Sequence, residues 1–170
     1  MQLTKNFKFE EYFISAEYPE LAQKGYEKVK DDEEIIRRIK HHAWTAAQPI
    51  RDHINSVLEI SSGYRDMFLN EAVGGSKTSD HKYGMAADLW IPSKSNDMNY
   101  MEALFKWAIV NLDYRQIIWY PQASNKFIHT SINWCLDKNP EDKPFLKEAK
   151  VQFDGKYILA DEFFRKEYLN

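Results

Sequence analysis

One acidic residue inside an otherwise apolar run constrains this sequence more than any other feature. Residues 85–91 have the length and apolar composition of a buried strand, and the acidic member of the run is Asp88. Removing a carboxylate from water without a partner is costly, so a fold that buries this strand must supply a compensating group. A cation beside Asp88 would offset that cost. The alternative is that Asp88 is a solvated or capping acid.

Two histidines complete a set of three potential metal ligands with Asp88. His81 precedes it in the same segment, and His129 lies in the middle of a later strand-like run, residues 126–132. Zinc binds about four donors in a tetrahedron, and a catalytic site leaves one position for water, so three imidazole and carboxylate ligands are sufficient. Because this spacing fits many folds, the alternative for His81 is a loop histidine bonded to a backbone carbonyl.

The distribution of apolar residues predicts an α+β fold. Apolar residues three or four positions apart predict a long helix over residues 32–55, which Pro49 bends or restarts because it has no amide proton. A second helix is predicted over Met98–Asn111. Strands are predicted at residues 58–62, 86–91, 116–120 and 126–132, followed by a hairpin around Asp154-Gly155. We therefore expect helices packed on a small, mostly antiparallel sheet.

The other histidines have a simpler interpretation. His41 and His42 fall within the long predicted helix and His53 falls near its end. Histidines in such positions are more often exposed to solvent or placed at the edge of a core than bound to metal. We therefore leave these three histidines out of the candidate site.

The length and charge of the chain narrow the classes of function. Its 170 residues fit a single domain, 1–170, and its formal net charge of -3 is spread without a basic stripe, which argues against nucleic acid as a partner. Cys135 is the only cysteine, so the chain forms no internal disulfide. No segment resembles a signal peptide or reaches membrane-spanning length. We expect a monomer that is synthesised in the cytoplasm and does not insert into membranes.

Several motifs follow one another in an order that resembles a known family. They are Ser62-Gly63-Tyr64-Arg65, a small-residue loop at 72–76, the pattern Ser-x-His-x-x-Gly-x-Ala-x-Asp at 79–88, and Phe127-Ile128-His129. In this order they resemble the zinc D-alanyl-D-alanine carboxypeptidases and related phage endolysin peptidases, which share the hedgehog-type fold. The stretches 3–12 and 48–52 are also similar to the phage and prophage branch. The resemblance covers residues 1 to about 133 and leaves 134–170 as a C-terminal hairpin and tail.

This resemblance implies a zinc-dependent peptidoglycan peptidase with Zn2+ as its cofactor. The three potential ligands named above correspond to the zinc ligands of the family. Arg65 corresponds to the arginine that engages the substrate or polarises the scissile carbonyl, and its alternative interpretation is a surface ion pair. Tyr64 and Ser79 are expected on the substrate side. In the implied reaction a zinc-activated water attacks an amide, either at a D-Ala-D-Ala end or within a stem peptide.

The sequence departs from the family pattern at the general base, which it leaves unknown. Many relatives place a carboxylate three residues before the last histidine, where this chain has Lys126, and a lysine accepts a proton at neutral pH only if its pKa is strongly lowered. Tyr120, Asp113 and Asp80 are possible substitutes. The alternative function is therefore a catalytically impaired virion or cell-wall-binding module that retains the fold. As an endolysin, the protein would reach the cell wall once the membrane is breached.

Overall fold

A six-stranded mixed sheet organises the computed structural model of the chain, which describes residues 1–134 and 147–167. Cys135 lies outside these residues. The strands are β1 Glu59–Ser62, β2 Ala86–Trp90, β3 Gln116–Tyr120, β4 Phe127–Ser131, β5 Glu148–Phe153 and β6 Lys156–Leu159. Their order across the sheet is β1-β2-β4-β3-β5-β6, and every neighbouring pair of these strands is antiparallel except β3 with β5. The predicted α+β fold with a mostly antiparallel sheet is confirmed.

Both predicted helices are found among the six α-helices of the described residues. These six are α1 Pro19–Val29, α2 Glu33–His42, α3 Gln48–Ile54, α4 Met67–Ala72, α5 Met98–Asn111 and α6 Ala160–Glu167, with short 3-10 helices at Phe9–Tyr12 and Asp80–Tyr83. The long helix predicted over 32–55 is confirmed as α2 and α3, and the Asp32 carboxylate caps its start by accepting from two amides of the first turn. The helix α1 was not predicted. Its signals are Pro19 in the first turn and buried residues at Ala22, Gly25 and Val29.

A π-helical turn, Ala43–Ala47, joins α2 to α3. Pro49 has no amide proton to donate to the carbonyl four residues earlier, which disturbs the regular α-helical pattern just before it. The Gln48 amide donates to the Ala43 carbonyl, five residues earlier, and the Thr45 hydroxyl donates to the His41 carbonyl. The interruption that Pro49 predicts is therefore found in the preceding turn.

Side chains alternate along the strands and so divide the sheet into two faces, with one register irregularity in β1 between Ile60 and Ser62. One face, which includes Leu89, Trp119 and Val151, packs with the helices into the buried apolar core. The residues that alternate with these point to the opposite face, and several of them, including Asp88, Ile118 and Lys150, line a cleft. Among the described residues, no helix has both the length and the apolar character needed to cross a membrane.

Candidate metal centre

Two adjacent strands and one tight turn bring the three potential ligands together. Asp88 on β2 and His129 on β4 are direct cross-strand partners, so their side chains project side by side from the same face of the sheet. His81 lies in the 3-10 helix Asp80–Tyr83, just before β2. Gly84 ends that helix with a φ of 69°, a conformation that L side chains rarely adopt, and so allows the chain to turn from His81 into β2.

The ligand atoms of these three residues form a tight cluster. His129 Nδ1 lies 2.8 Å from Asp88 Oδ1, and His81 Nε2 lies 3.3 Å from the same oxygen and 3.2 Å from His129 Nδ1. One ligand atom from each residue falls within 4.8 Å of the others, and all three residues are buried. The structure thus brings together, in one cluster, the three residues that the sequence analysis named as potential metal ligands and that lie in different segments of the chain.

A backbone contact fixes the orientation of His81. Its Nδ1 lies 2.6 Å from the Gly63 carbonyl oxygen, so Nδ1 carries the proton and donates it there, and the lone pair of Nε2 points into the cluster. A side chain at position 63 would place its Cβ 2.3 Å from the Tyr12 carbonyl oxygen. Glycine is therefore required for the close approach that brings this carbonyl to His81.

The balance of donors and acceptors in the cluster fits a bound cation. The Nε2 lone pair of His81 and the Asp88 carboxylate are both acceptors, and the single proton that His129 Nδ1 can carry satisfies only one of them. Two acceptors that face each other at 3.3 Å in a buried site repel each other, and a cation between them would remove this repulsion. Two imidazoles and one carboxylate, with room for a fourth ligand from the cleft, form the donor set typical of catalytic zinc.

The electrostatics keep Asp88 and His81 in the protonation states that metal binding requires. Burial raises the pKa of Asp88, but His81 and His129 outweigh that effect and hold it well below its ordinary value. Burial lowers the pKa of His81, and the Asp88 carboxylate only partly offsets this. A deprotonated carboxylate and a neutral imidazole are therefore present near pH 7, as ligation demands.

Arg65 lies beside the cluster. Its Nη2 donates to Asp88 Oδ2 at 2.8 Å and its Nε donates to the Ser62 hydroxyl at 2.8 Å. The ion pair is mostly buried, with 15% of the Arg65 side chain exposed, so the surface ion pair considered as an alternative does not describe it. The guanidinium is thus held in a fixed position at the wall of the cleft next to the potential ligands.

The potential ligands open onto a cleft of about 700 Å3. The loop before His81, including Ser79, forms one wall, and side chains from β3 and β5 form another. Tyr64 is not among the lining residues; its ring is buried and packs against Phe13, with a ring-centroid distance of 5.5 Å. The expected contact of Ser79 with a substrate is compatible with its place, and that of Tyr64 stays a prediction without support from this geometry.

The candidates for the general base divide into two groups. Tyr120 and Asp80 line the cleft, whereas Asp113 and Lys126 are not among its lining residues. Burial, reinforced by Tyr157, holds the pKa of Tyr120 well above its ordinary value, so its hydroxyl is a hydrogen-bond donor at neutral pH. Asp80 is a carboxylate, and it pairs with Arg115 at 3.3 Å.

The lining residues that the sequence did not indicate include two cations and a tyrosine, Arg115, Lys150 and Tyr157. Arg115 immediately precedes β3, and Lys150 and Tyr157 lie on β5 and β6. The sequence predicts the hairpin that carries the last two residues, but it does not indicate which strand the hairpin pairs with. Their place in the cleft follows from the parallel pairing of β5 with β3.

Comparison with known proteins gives an independent result. The family model described as Peptidase M15 matches residues 11–131, a span that contains the three potential ligands and Arg65. No curated protein matches the chain significantly. The family match ends at the last residue of β4, so β5, β6 and α6 follow it in the chain.

Proposed function

The chain belongs to the peptidase M15 family, and we propose that it is a zinc-dependent peptidase that cleaves amide bonds in peptidoglycan peptides. One observation carries this proposal: a buried cluster of His81, Asp88 and His129, rich in acceptors, lies at the side of an open cleft. These three residues would hold the metal. Zinc in such a site supplies Lewis acidity and lowers the pKa of a bound water toward 7.

The residues around the cluster have distinct tasks in this proposal. Arg65, fixed by Asp88 and Ser62, presents its positive charge to a substrate oxygen, either the scissile carbonyl or a carboxylate. Tyr120 faces the cleft with a protonated hydroxyl and donates a hydrogen bond to a second substrate oxygen. Both groups are positioned before the substrate arrives, so little reorganisation is required of them.

We assign Asp80 as the first residue to test for proton transfer. Among the described residues that line the cleft, the carboxylates are Asp80 and Asp88, and Asp88 is committed to the metal cluster. We expect Asp80→Asn to lower kcat by about 100-fold, in the range typical of general acid–base catalysis. The matched control is Asp113→Asn, an exposed aspartate outside the cleft, which should leave kcat unchanged. Equal activity of the two variants would remove Asp80 from this role.

Two positions of the scissile bond are compatible with this proposal. The enzyme either trims a D-Ala-D-Ala end as a carboxypeptidase or cuts within a stem peptide as an endolysin-like endopeptidase. Digestion of murein and of defined stem peptides by the zinc-loaded protein, followed by mass spectrometry, separates them. A carboxypeptidase releases single D-alanine residues, whereas an endopeptidase releases larger fragments.

The test of the whole proposal is the metal dependence of that digestion. We expect His81→Ala to lose both zinc, measured by elemental analysis, and the release of new amino groups from murein. The control is His53→Ala, because His53 is exposed and stacks on Trp107 away from the cleft. Zinc-loaded wild-type protein that releases no amino groups from varied murein preparations would refute the peptidase assignment.

A second candidate function is a binding module that retains the metal centre without turnover. The observation that favours it is Lys126, which stands where many relatives carry a carboxylate and does not line the cleft. Co-sedimentation with insoluble murein tests this alternative. A binding module would sediment with murein to the same extent with or without His81, and would release no peptide in either form.

A further inference from the structure

The C-terminal hairpin, β5 with β6, completes the cleft although it follows the family match in the chain. The match ends at residue 131, and the hairpin begins at Glu148. It joins the sheet through parallel pairing of β5 with β3. Through this pairing it contributes two side chains, Lys150 and Tyr157, to the cleft that contains the candidate metal ligands.

The register of the sheet aligns Lys150 with the metal cluster. Ile118 on β3 is the direct partner of His129 on one side and of Lys150 on the other. Residues in one row across a sheet project from the same face, so the lysine and His129 both point into the cleft. Two strand spacings separate their backbones, which amounts to about 10 Å.

The Lys150 ammonium is held in place within this row. Its Nζ donates to Glu148 Oε2 at 2.8 Å, and the same carboxylate oxygen accepts from Gln116 Nε2 at 3.2 Å. The lysine side chain is 24% exposed, so it is oriented by its neighbours yet reachable from the cleft. Glu148 itself is not among the lining residues, and the side of the pair that faces the cleft is therefore the positive one.

A metal ion would give the cleft a positive balance of charge. Each cation that lines the cleft is paired with one carboxylate: Arg65 with Asp88, Arg115 with Asp80, and Lys150 with Glu148. A divalent metal ion at the cluster would add two further positive charges. A substrate that carries a carboxylate would thus be drawn into the cleft and would find the lysine at its far side.

An aromatic wall flanks the row of residues that runs from His129 through Ile118 to Lys150. The Tyr120 ring stacks on Phe127 with centroids 4.4 Å apart, and the hydroxyls of Tyr120 and Tyr157 lie 3.3 Å apart. The two strands β3 and β6 are thereby linked across the cleft surface. A peptide bound over this wall would extend from the metal cluster toward the hairpin.

We propose that the C-terminal hairpin is a substrate-recognition element in which Lys150 binds a carboxylate of the peptide. An extended peptide advances about 3.5 Å per residue, so a span of about 10 Å places this carboxylate about two or three residues from the bond that is cut. This inference rests on the proposed peptidase function and names the class of substrate: a peptide with a free carboxylate on the hairpin side of the scissile bond.

The test uses pairs of synthetic stem peptides that differ only in one group, a free carboxylate or the corresponding carboxamide. In one pair the changed group is the C-terminal carboxylate, and in the other it is a side-chain carboxylate. We expect wild-type protein to prefer the acid by about tenfold or more in kcat/KM for one of the two pairs, as for a hydrogen bond to a charged group. The pair that shows the preference identifies the source of the carboxylate.

Three variants locate the origin of this preference. Lys150→Met removes the charge with little change in length and should bring the ratio of acid to amide close to one. Lys150→Arg should retain most of the preference. Lys156→Met, on the exposed part of the same hairpin, is the matched control and should leave the ratio unchanged. The inference would be overturned if Lys150→Met left the ratio of acid to amide unchanged, or if wild-type protein showed no preference for the acid in either pair.

A binding measurement separates failure of this inference from failure of the proposed function. Calorimetry with the metal-free full-length chain measures the affinity for each acid and amide peptide without turnover. If the wild type prefers the acid and Lys150→Met does not, the recognition element stands even in the absence of cleavage. If cleavage occurs and both proteins bind acid and amide equally, the recognition element is wrong and the peptidase assignment remains.

Discussion

Two buried histidine sites lie on opposite faces of β4, and they differ in the balance of their hydrogen-bonding groups. On the helix side, His42 is fully buried, with its Nδ1 3.0 Å from the Tyr12 hydroxyl and its Nε2 2.9 Å from the Thr130 hydroxyl. On the cleft side, His129 meets Asp88 and the lone pair of His81. Burial alone therefore does not distinguish a structural histidine from a metal ligand.

The difference lies in whether protein groups can satisfy every ring nitrogen. Each nitrogen of His42 faces a hydroxyl, which donates or accepts as required, so a neutral ring is complete without any other group. In the cluster of His81, Asp88 and His129 acceptors face acceptors, and a bound cation would resolve the conflict. Donor and acceptor balance thus distinguishes a site that is complete within the protein from one that could hold a metal ion.

The largest expected effect is on the cleft side. We expect Asp88→Asn to reduce peptidase activity to background, because the change removes the only anionic ligand of the cluster while it preserves the shape of the side chain. It should also remove most of the stabilisation by zinc, which for wild-type protein reaches about 4 kcal/mol at a free zinc concentration a thousand times Kd. Thermal unfolding with and without zinc measures this stabilisation.

The matched control for Asp88→Asn is on the other face of β4. His42→Gln should unfold at a lower temperature than wild type and should still gain the full stabilisation from zinc. If both variants lost the response to zinc equally, the two histidine sites would not be functionally separate, and the comparison would be wrong.

The second prediction concerns stability on the helix side. His42→Ala removes the partner of the Tyr12 hydroxyl, leaves the Thr130 hydroxyl only its 3.4 Å hydrogen bond to the Ala87 carbonyl, and opens a cavity behind β4. Together these effects should lower the free energy of unfolding by about 3 kcal/mol, measured by urea denaturation of metal-free protein. His53→Ala, at an exposed position of α3, should cost less than about 1 kcal/mol.

The third prediction concerns pH and also separates the two faces. Burial lowers the pKa of His42 to about 3, whereas an unfolded histidine titrates near 6.5. Between these values the unfolded chain binds the additional proton, so the contribution of His42 to stability is complete above pH 6.5 and declines as the pH falls toward 3. From pH 7 to pH 5 the loss should be about 2 kcal/mol.

Urea denaturation of wild-type protein and of His42→Gln at a series of pH values isolates this contribution. The difference in unfolding free energy between the two proteins should be constant above pH 6.5 and should shrink on acidification. A difference that is independent of pH down to pH 4 would show that His42 does not remain neutral in the folded protein.

The sequence named all three residues of the cluster because Asp88 is a charge in an apolar run and because the ordered motifs resemble those of a known family. Asp88 stands out in an apolar strand, His81 lies in the same segment, and a single antiparallel pairing brings His129 to them. His42 carried a signal too, since it lies on the same helical stripe as the buried residues Ile35 and Ile39. Its pairing with Thr130, however, joins residues that are far apart in the chain, and no local pattern reveals it.

The sequence could not place Lys150 and Tyr157 at the cleft, because their position also depends on contacts between distant parts of the chain. The Asp154-Gly155 turn predicted their hairpin, and that hairpin is confirmed, with positive φ at both turn residues. Which strand the hairpin pairs with depends on long-range packing of β5 against β3 rather than on the residues of the turn. The sequence therefore indicated a hairpin without placing it at the cleft.

The smallest effect tests whether the helix side is a network or a set of independent contacts. Tyr12→Phe removes one hydroxyl and leaves His42 Nδ1 without that partner, at a cost of about 1 to 2 kcal/mol. If the hydrogen bonds from Tyr12 through His42 to Thr130 act together, the double variant Tyr12→Phe with Thr130→Val should lose less stability than the sum of the two single variants. Additive losses in urea denaturation would mean that each contact stabilises β4 separately, and His42 would then be a buried spacer rather than the centre of a network.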